Sequence, residues 1–154
     1  KELFRNDPFS RKLIKSAGMV PVDRGGMNSS SMENIKKRLK ENWGVIIHPE
    51  GTRSEDGVFR KIKNGANTLA IETGAPIIPA YVDGAYNIFP KSGKMPKFYD
   101  WKHHKKFRLS VTFGKPISPD GLTTEELTAE IERAISVLQD ENSTLPQFQS
   151  HSAE

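Results

Sequence analysis

Val45-Ile46-Ile47-His48-Pro49-Glu50-Gly51-Thr52-Arg53-Ser54 is the stretch on which the chain turns. A short apolar run bounded by turn residues reads as a buried strand. It empties into a polar loop holding a carboxylate, a glycine, two hydroxyls and a guanidinium. In open α/β sheets the carboxyl ends of strands form the rim where ligands bind. Glycine lets the backbone turn tightly there, and a guanidinium is suited to bidentate grip on an anion.

Outward from this loop the pattern alternates. Towards the carboxyl end, Gly65–Thr73 is predicted as a helix with Ala66, Leu69 and Ala70 inward and Gly74 as its stop. Pro76–Val82 reads as a strand. Phe107, Leu109, Val111 and Phe113 alternate with Arg108, Ser110 and Thr112, which predicts a half-buried strand with the apolar set inward. Thr123-x-x-Glu126 is a capping box for a last helix, with Leu127, Ile131, Ala134, Ile135 and Leu138 on one face. Towards the amino end, Ser30-x-x-Glu33 introduces a helix carrying Met32, Ile35 and Leu39, with Trp43 next in step. Before it come a short strand, Met19–Val22, ending at Asp23-Arg24, and a short helix through Phe9, Leu13 and Ile14.

The resulting order, β-α-β-α-β, an insertion over Tyr86–Lys106, then β-α, predicts an α/β fold with a mainly parallel sheet and helices on both faces. Arg24, Glu50 with Arg53, and Asp83 then stand just past the ends of successive strands, so three loops are expected to share one crevice. Residues 1–141 are expected to form one domain, incomplete at its amino terminus, and the Ser/Gln-rich residues 142–154 a disordered tail.

Composition narrows the partners. The 154 residues carry 23 Lys and Arg against 19 Asp and Glu, a net charge of +4 that favours anionic ligands. Lys91, Lys94, Lys97, Lys102, Lys105, Lys106 and Arg108 make one segment basic. With no cysteine, thiol nucleophiles, disulfides and Cys-based metal sites are excluded. No apolar run approaches the ~18–20 residues of a membrane span.

At this point the residues support a resemblance. His48–Ser54 resembles the F-P-E-G-T-R-S block of the glycerophospholipid acyltransferase family, with His48 in place of the aromatic. Gly18-Met19-Val20-Pro21-Val22-Asp23-Arg24 is similar to an earlier block of that family. Phe59-Arg60-Lys61-Ile62-Lys63-Asn64-Gly65 resembles its F-K-x-G segment, and Ala75-Pro76-Ile77-Ile78-Pro79-Ala80 its V-P-I-I-P-V block. Four blocks in the right order cover most of Gly18–Val82.

The family's N-H-x-x-x-x-D block is missing. Five positions after His48, His103 and His104 stand Arg53, Arg108 and Leu109, and His151 lies too near the end. The opening Lys1-Glu2-Leu3-Phe4 resembles the segment downstream of that block, so the chain is expected to be a piece of a longer protein whose His/Asp dyad lies ahead of it.

The resemblance implies transfer of a fatty acyl group from acyl-CoA or acyl carrier protein to the hydroxyl of lysophosphatidic acid or a related glycerophosphate. In that reaction a histidine, oriented by an aspartate, takes the hydroxyl proton. It implies no cofactor, no metal and no nucleic acid. It also implies a membrane surface for the full-length protein, on the cytoplasmic side, peripheral or anchored through other segments, with this piece soluble. No catalytic residue is expected within the chain.

For a nearly dianionic headgroup, Arg24 and Arg53 are the expected grips, with Lys61 a third. Glu50 is expected either to accept hydrogen bonds from the acceptor's hydroxyls or to pair with Arg53 and fix the turn. Gly51 is expected to expose backbone N–H groups. Thr52 and Ser54 either donate to an oxyanion or close the turn. The insertion, with Phe89, Phe98, Tyr99 and Trp101 among lysines, has three readings: an interfacial membrane contact, a dock for an anionic acyl carrier, or a loop whose aromatics pack on the sheet. The competing function is a non-catalytic module for phosphate-rich ligands such as nucleic acid.

Overall fold

A computed structural model describes residues 29–93 and 95–144. The helix through Phe9–Ile14, the Met19–Val22 strand and Arg24 lie outside the described residues. The elements are α1 (Ser29–Lys40), α2 (Gly65–Thr73), β1 (Ala80–Asp83), α3 (Ala85–Ile88), β2 (Tyr99–Asp100), β3 (Lys105–Lys106), β4 (Ser110–Phe113) and α4 (Thr124–Thr144).

Helix α4 organises the core. Thr123 and Glu126 form the expected capping box: the Glu126 carboxylate accepts from the Thr123 N–H at 2.8 Å, and the Thr123 hydroxyl accepts from the Glu126 N–H at 3.2 Å. These bonds satisfy amides that a helix start leaves without partners. The spacing of Leu127, Ile131, Ile135 and Leu138 then lines one buried face. Ile62 and Ala70 join this cluster, with Phe59, Ile77, Tyr81, Ile117 and Leu122 packed around it. Helix α2 keeps its expected bounds, and the Gly74 N–H closes on Ala70 O at 2.8 Å. Its fully buried Asn67 reaches α4, donating to the Thr128 hydroxyl at 2.5 Å.

The α/β class holds, but every strand pairing among the described residues is antiparallel, not parallel. β1 pairs with β4, Tyr81 opposite Thr112 and Val82 opposite Val111, and the ribbon extends to a bridge between Ile77 and Ile117. Parallel neighbours need a crossover that runs back over the sheet. Residues 84–109 do not cross; they fold outward as α3 and the β2–β3 hairpin.

Three further expectations change. Val45–His48 is irregular, with Ile46 90% exposed, because no strand among the described residues pairs with it. In β4 the two-residue period is correct but the face is reversed. Thr112 turns to α4, where its hydroxyl meets Asn142 at 3.1 Å, while Val111 and Phe113 are exposed. That same contact accompanies the run of α4 to Thr144, past residue 141, the expected end of the domain.

Helix α1 leans on α2 through Lys36, which bridges Glu72 at 2.6 Å and Glu33 at 2.9 Å. Glu33 is thereby engaged with Lys36. Trp43 leaves the apolar face because Asn42 adopts φ 61° and turns the chain; its ring lies 5.3 Å from the Arg38 guanidinium instead.

Candidate functional site

The motif loop is a turn built on its own backbone. Gly51, at φ 70°, donates its N–H to His48 O at 3.0 Å, so that amide is engaged and not offered to a ligand. The Lys63 N–H donates to Pro49 O at 2.9 Å, and the Arg60 N–H donates to the Glu50 carboxylate at 3.1 Å. Glu50 thus ties the outgoing limb of the loop to the returning one. It does not pair with Arg53.

Arg53 points the other way. Its Nη1 donates to Pro90 O at 3.0 Å and Gly93 O at 3.4 Å, and its Nη2 to Lys91 O at 3.3 Å. The guanidinium also lies 4.0 Å from the centre of the Phe89 ring. These bonds use three of the five N–H donors of the fork. Arg53 therefore fastens the motif loop to the segment that follows α3.

More contacts join the same two segments. The Tyr86 hydroxyl donates to Glu55 O at 2.9 Å, the Lys91 N–H donates to Ser54 O at 3.2 Å, and the Lys91 ammonium pairs with Glu55. Arg60 sits between Asp56 at 3.4 Å and Glu55 at 3.9 Å. The Ser54 hydroxyl accepts from the Gly57 N–H at 2.7 Å and closes the turn. Among the described residues Thr52 makes one long contact, 3.4 Å to Arg53 O.

The Lys91 ammonium, then the Arg60 charge, holds the Glu55 carboxyl below its ordinary range. A carboxyl depressed by folding stabilises above its unfolded pKa and loses that contribution as pH falls through the folded value. The link between the segments is therefore expected to be intact at neutral pH and to loosen in acid. Hydrogen exchange of the Lys91 amide, corrected for intrinsic rates, should lose protection below about pH 4.5. Protection that is flat with pH would show that the Glu55–Lys91 pair is not holding the loop.

Two cations remain outside these pairings. Ile62, 3% exposed, turns into the core and leaves Lys61 and Lys63 outward. Neither forms an ion pair among the described residues. Lys63 lies against the motif: a Cβ built on Gly51 would stand 3.1 Å from its Nζ. A side chain there would crowd that flexible ammonium, and the left-handed φ of 70° itself favours glycine at the turn. Sequence reasoning chose Lys61 and missed Lys63, although Lys63-Asn64-Gly65 fits the K-x-G spacing more closely. Of the three loops expected to converge, the structure joins two, the motif loop and the segment after Asp83. Arg24, from the third, lies outside the described residues.

The acyltransferase family model matches residues 1–83, more than half of the chain. The chain belongs to the glycerophospholipid acyltransferase family. It is 35% identical over 117 residues to a 1-acyl-sn-glycerol-3-phosphate acyltransferase of Bacillus subtilis, a match covering 76% of this chain and 51% of that protein. A chloroplast 1-acyl-sn-glycerol-3-phosphate acyltransferase of Arabidopsis thaliana is 39% identical over 87 residues, covering 54% of this chain and 24% of the relative. Among solved structures, the 1-acyl-sn-glycerophosphate acyltransferase of Thermotoga maritima superposes with a TM-score of 0.70 at 25% identity, over 93% of this chain and 54% of its own. The chain thus spans about half the length of the Bacillus relative.

Proposed function

We propose that this chain forms the headgroup-binding part of an O-acyltransferase that moves a fatty acyl group from an acyl thioester to the free hydroxyl of lysophosphatidic acid or a related glycerophosphate. The observation that carries this reading is the Lys63 ammonium seated against Gly51 of the motif turn, with no carboxylate paired to it among the described residues. A phosphate ester with nearly two negative charges is a fitting ligand for such a cation and for Lys61 beside it. Arg53 retains Nε–H and one Nη2–H, and it sets the position of the loop. Glu50 acts through the loop, holding its two limbs together. Arg24 and Thr52 belong to the same proposed site.

In the reaction the acceptor's hydroxyl oxygen forms a bond to the thioester carbonyl carbon, the C–S bond breaks, and the departing thiolate takes up the proton that the base has removed from the hydroxyl. The hydroxyl proton passes to a base. No histidine of this chain has an aspartate five positions on, so the base comes from outside these residues. Acyl-CoA and acyl carrier protein are the two donors to be tried.

Supplied with an N-H-x-x-x-x-D segment ahead of Lys1, the protein is expected to acylate lysophosphatidic acid. A folded product inert with every acceptor and both donors would defeat the proposal. Lys63→Ala in the present chain should weaken lysophosphatidic acid binding about ten-fold, the order of one hydrogen bond to a charged group. Monoacylglycerol, which lacks the phosphate, should bind both forms alike. Equal loss for both ligands would take Lys63 away from the phosphate.

A further inference from the structure

The insertion does not pack its aromatics on the sheet. Met95 is 75% exposed, Phe98 66% and Trp101 79%, three large apolar side chains within seven residues. Residues 101–106 are exposed throughout. The segment is nevertheless ordered by its own contacts. β2 and β3 pair Tyr99 with Lys106 and Asp100 with Lys105, and the Tyr99 and Trp101 rings meet edge to face at 4.7 Å. Asp100 caps the turn, its carboxylate accepting from the Lys102 N–H at 3.0 Å and contacting His103 Nδ1 at 2.7 Å.

Alternation places Tyr99, Trp101 and Lys106 on one side of the hairpin. Pro96, Lys97, Phe98, Tyr99 and Trp101 line an open concavity of about 410 Å³. Between Met95 and Lys106 stand four lysines, Lys97, Lys102, Lys105 and Lys106, and a single carboxylate, Asp100, already occupied by the turn. None of the four lysines forms an ion pair among the described residues.

We propose that Met95–Lys106 is a membrane-docking hairpin that places Phe98 and Trp101 in the headgroup layer of an anionic phospholipid bilayer, with Lys97, Lys102, Lys105 and Lys106 over the lipid phosphates. Amphipathic rings settle at the boundary between water and acyl chains, and lysines near the surface are drawn to anionic lipid. An acidic protein would complement the lysines, but it would have to cover three protruding apolar side chains within a two-residue-wide ribbon. A lipid interface takes both at once. The Lys97 N–H donates to Ile88 O at 2.8 Å, and Arg53 holds the preceding carbonyls. The hairpin is therefore fixed to the same frame as the motif loop.

The test is sedimentation of the full chain with phosphatidylcholine vesicles, with and without phosphatidylglycerol. Phosphatidylglycerol should promote binding, and Phe98→Ala with Trp101→Ala should weaken it roughly ten-fold or more. Lys105→Glu with Lys106→Glu should remove the dependence on phosphatidylglycerol. In a Trp43→Phe background, brominated acyl chains should quench Trp101 emission. Lys63→Ala, which alters the headgroup site alone, should leave vesicle binding intact. Binding that survives the aromatic pair but is lost with Lys63→Ala would place the membrane contact in the headgroup site and overturn the proposal. So would failure to bind phosphatidylglycerol vesicles, or capture of an acyl carrier protein by the same lysines without vesicle binding.

Discussion

Exchange of Gly84 for alanine is expected to destabilise the protein by about 2–5 kcal/mol, as a left-handed conformation and a backbone clash combine. Gly84 joins β1 to α3 at φ 80°, and a Cβ placed on it would stand 2.0 Å from the carbonyl oxygen of Arg108. That carbonyl belongs to the main chain entering β4, so no rotamer can relieve the overlap. The β1–β4 ribbon would have to part at its Asp83–Ser110 end. The consequences reach the site. Tyr86, two residues on, donates to Glu55 O, and Phe89 lies under the Arg53 guanidinium. Urea unfolding should show a lower midpoint, and the variant should bind lysophosphatidic acid poorly even while folded. An unfolding free energy within about 0.5 kcal/mol of the parent's would mean that the strand ends tolerate the added atom.

Arg53→Ala is expected to be the most damaging change in the motif loop. It removes three hydrogen bonds to the Pro90–Gly93 carbonyls and a ring contact. Because the guanidinium is exposed, the loss of global stability should be modest, about 1 kcal/mol after solvent screening. The functional loss should be much larger. A loop displaced by about 1 Å can cost a hundred-fold in kcat/KM, and that is the fall expected in the form carrying a His/Asp segment. Arg53→Lys separates two roles. Lysine keeps the charge but has no planar fork to span three carbonyls. If the residue acts by positioning the loop, Arg53→Lys is nearly as poor as alanine. Near-complete rescue by lysine would instead make Arg53 a direct charge on the phosphate.

Arg53 was expected to grip phosphate, and its fastening of the loop was not legible from sequence because its partners lie 37 to 40 residues away in an insertion. Backbone carbonyls have no residue signature. The same holds for Glu50, which meets the Arg60 backbone amide and not the Arg53 side chain. Lys63 was nearer to legible, since K-x-G spacing singles it out, but its approach to Gly51 required the loop to close.

Local order was set by the chain itself. Gly74 stops α2, Thr123 and Glu126 start α4, and the apolar spacing of Leu127 through Leu138 defines a buried face. Each depends on residues a few positions apart, where propensity and capping act without distant partners. The acyltransferase family, too, was readable from four short blocks. Tertiary structure alone decided which side of β4 faces α4, that β1 and β4 run antiparallel, and that the motif loop is fastened to the segment after α3. A two-residue period names two faces without saying which is covered, and strand direction depends on the path of the intervening chain. Those choices were made by contacts such as Thr112 with Asn142 and Arg53 with Pro90, between residues that local pattern cannot pair.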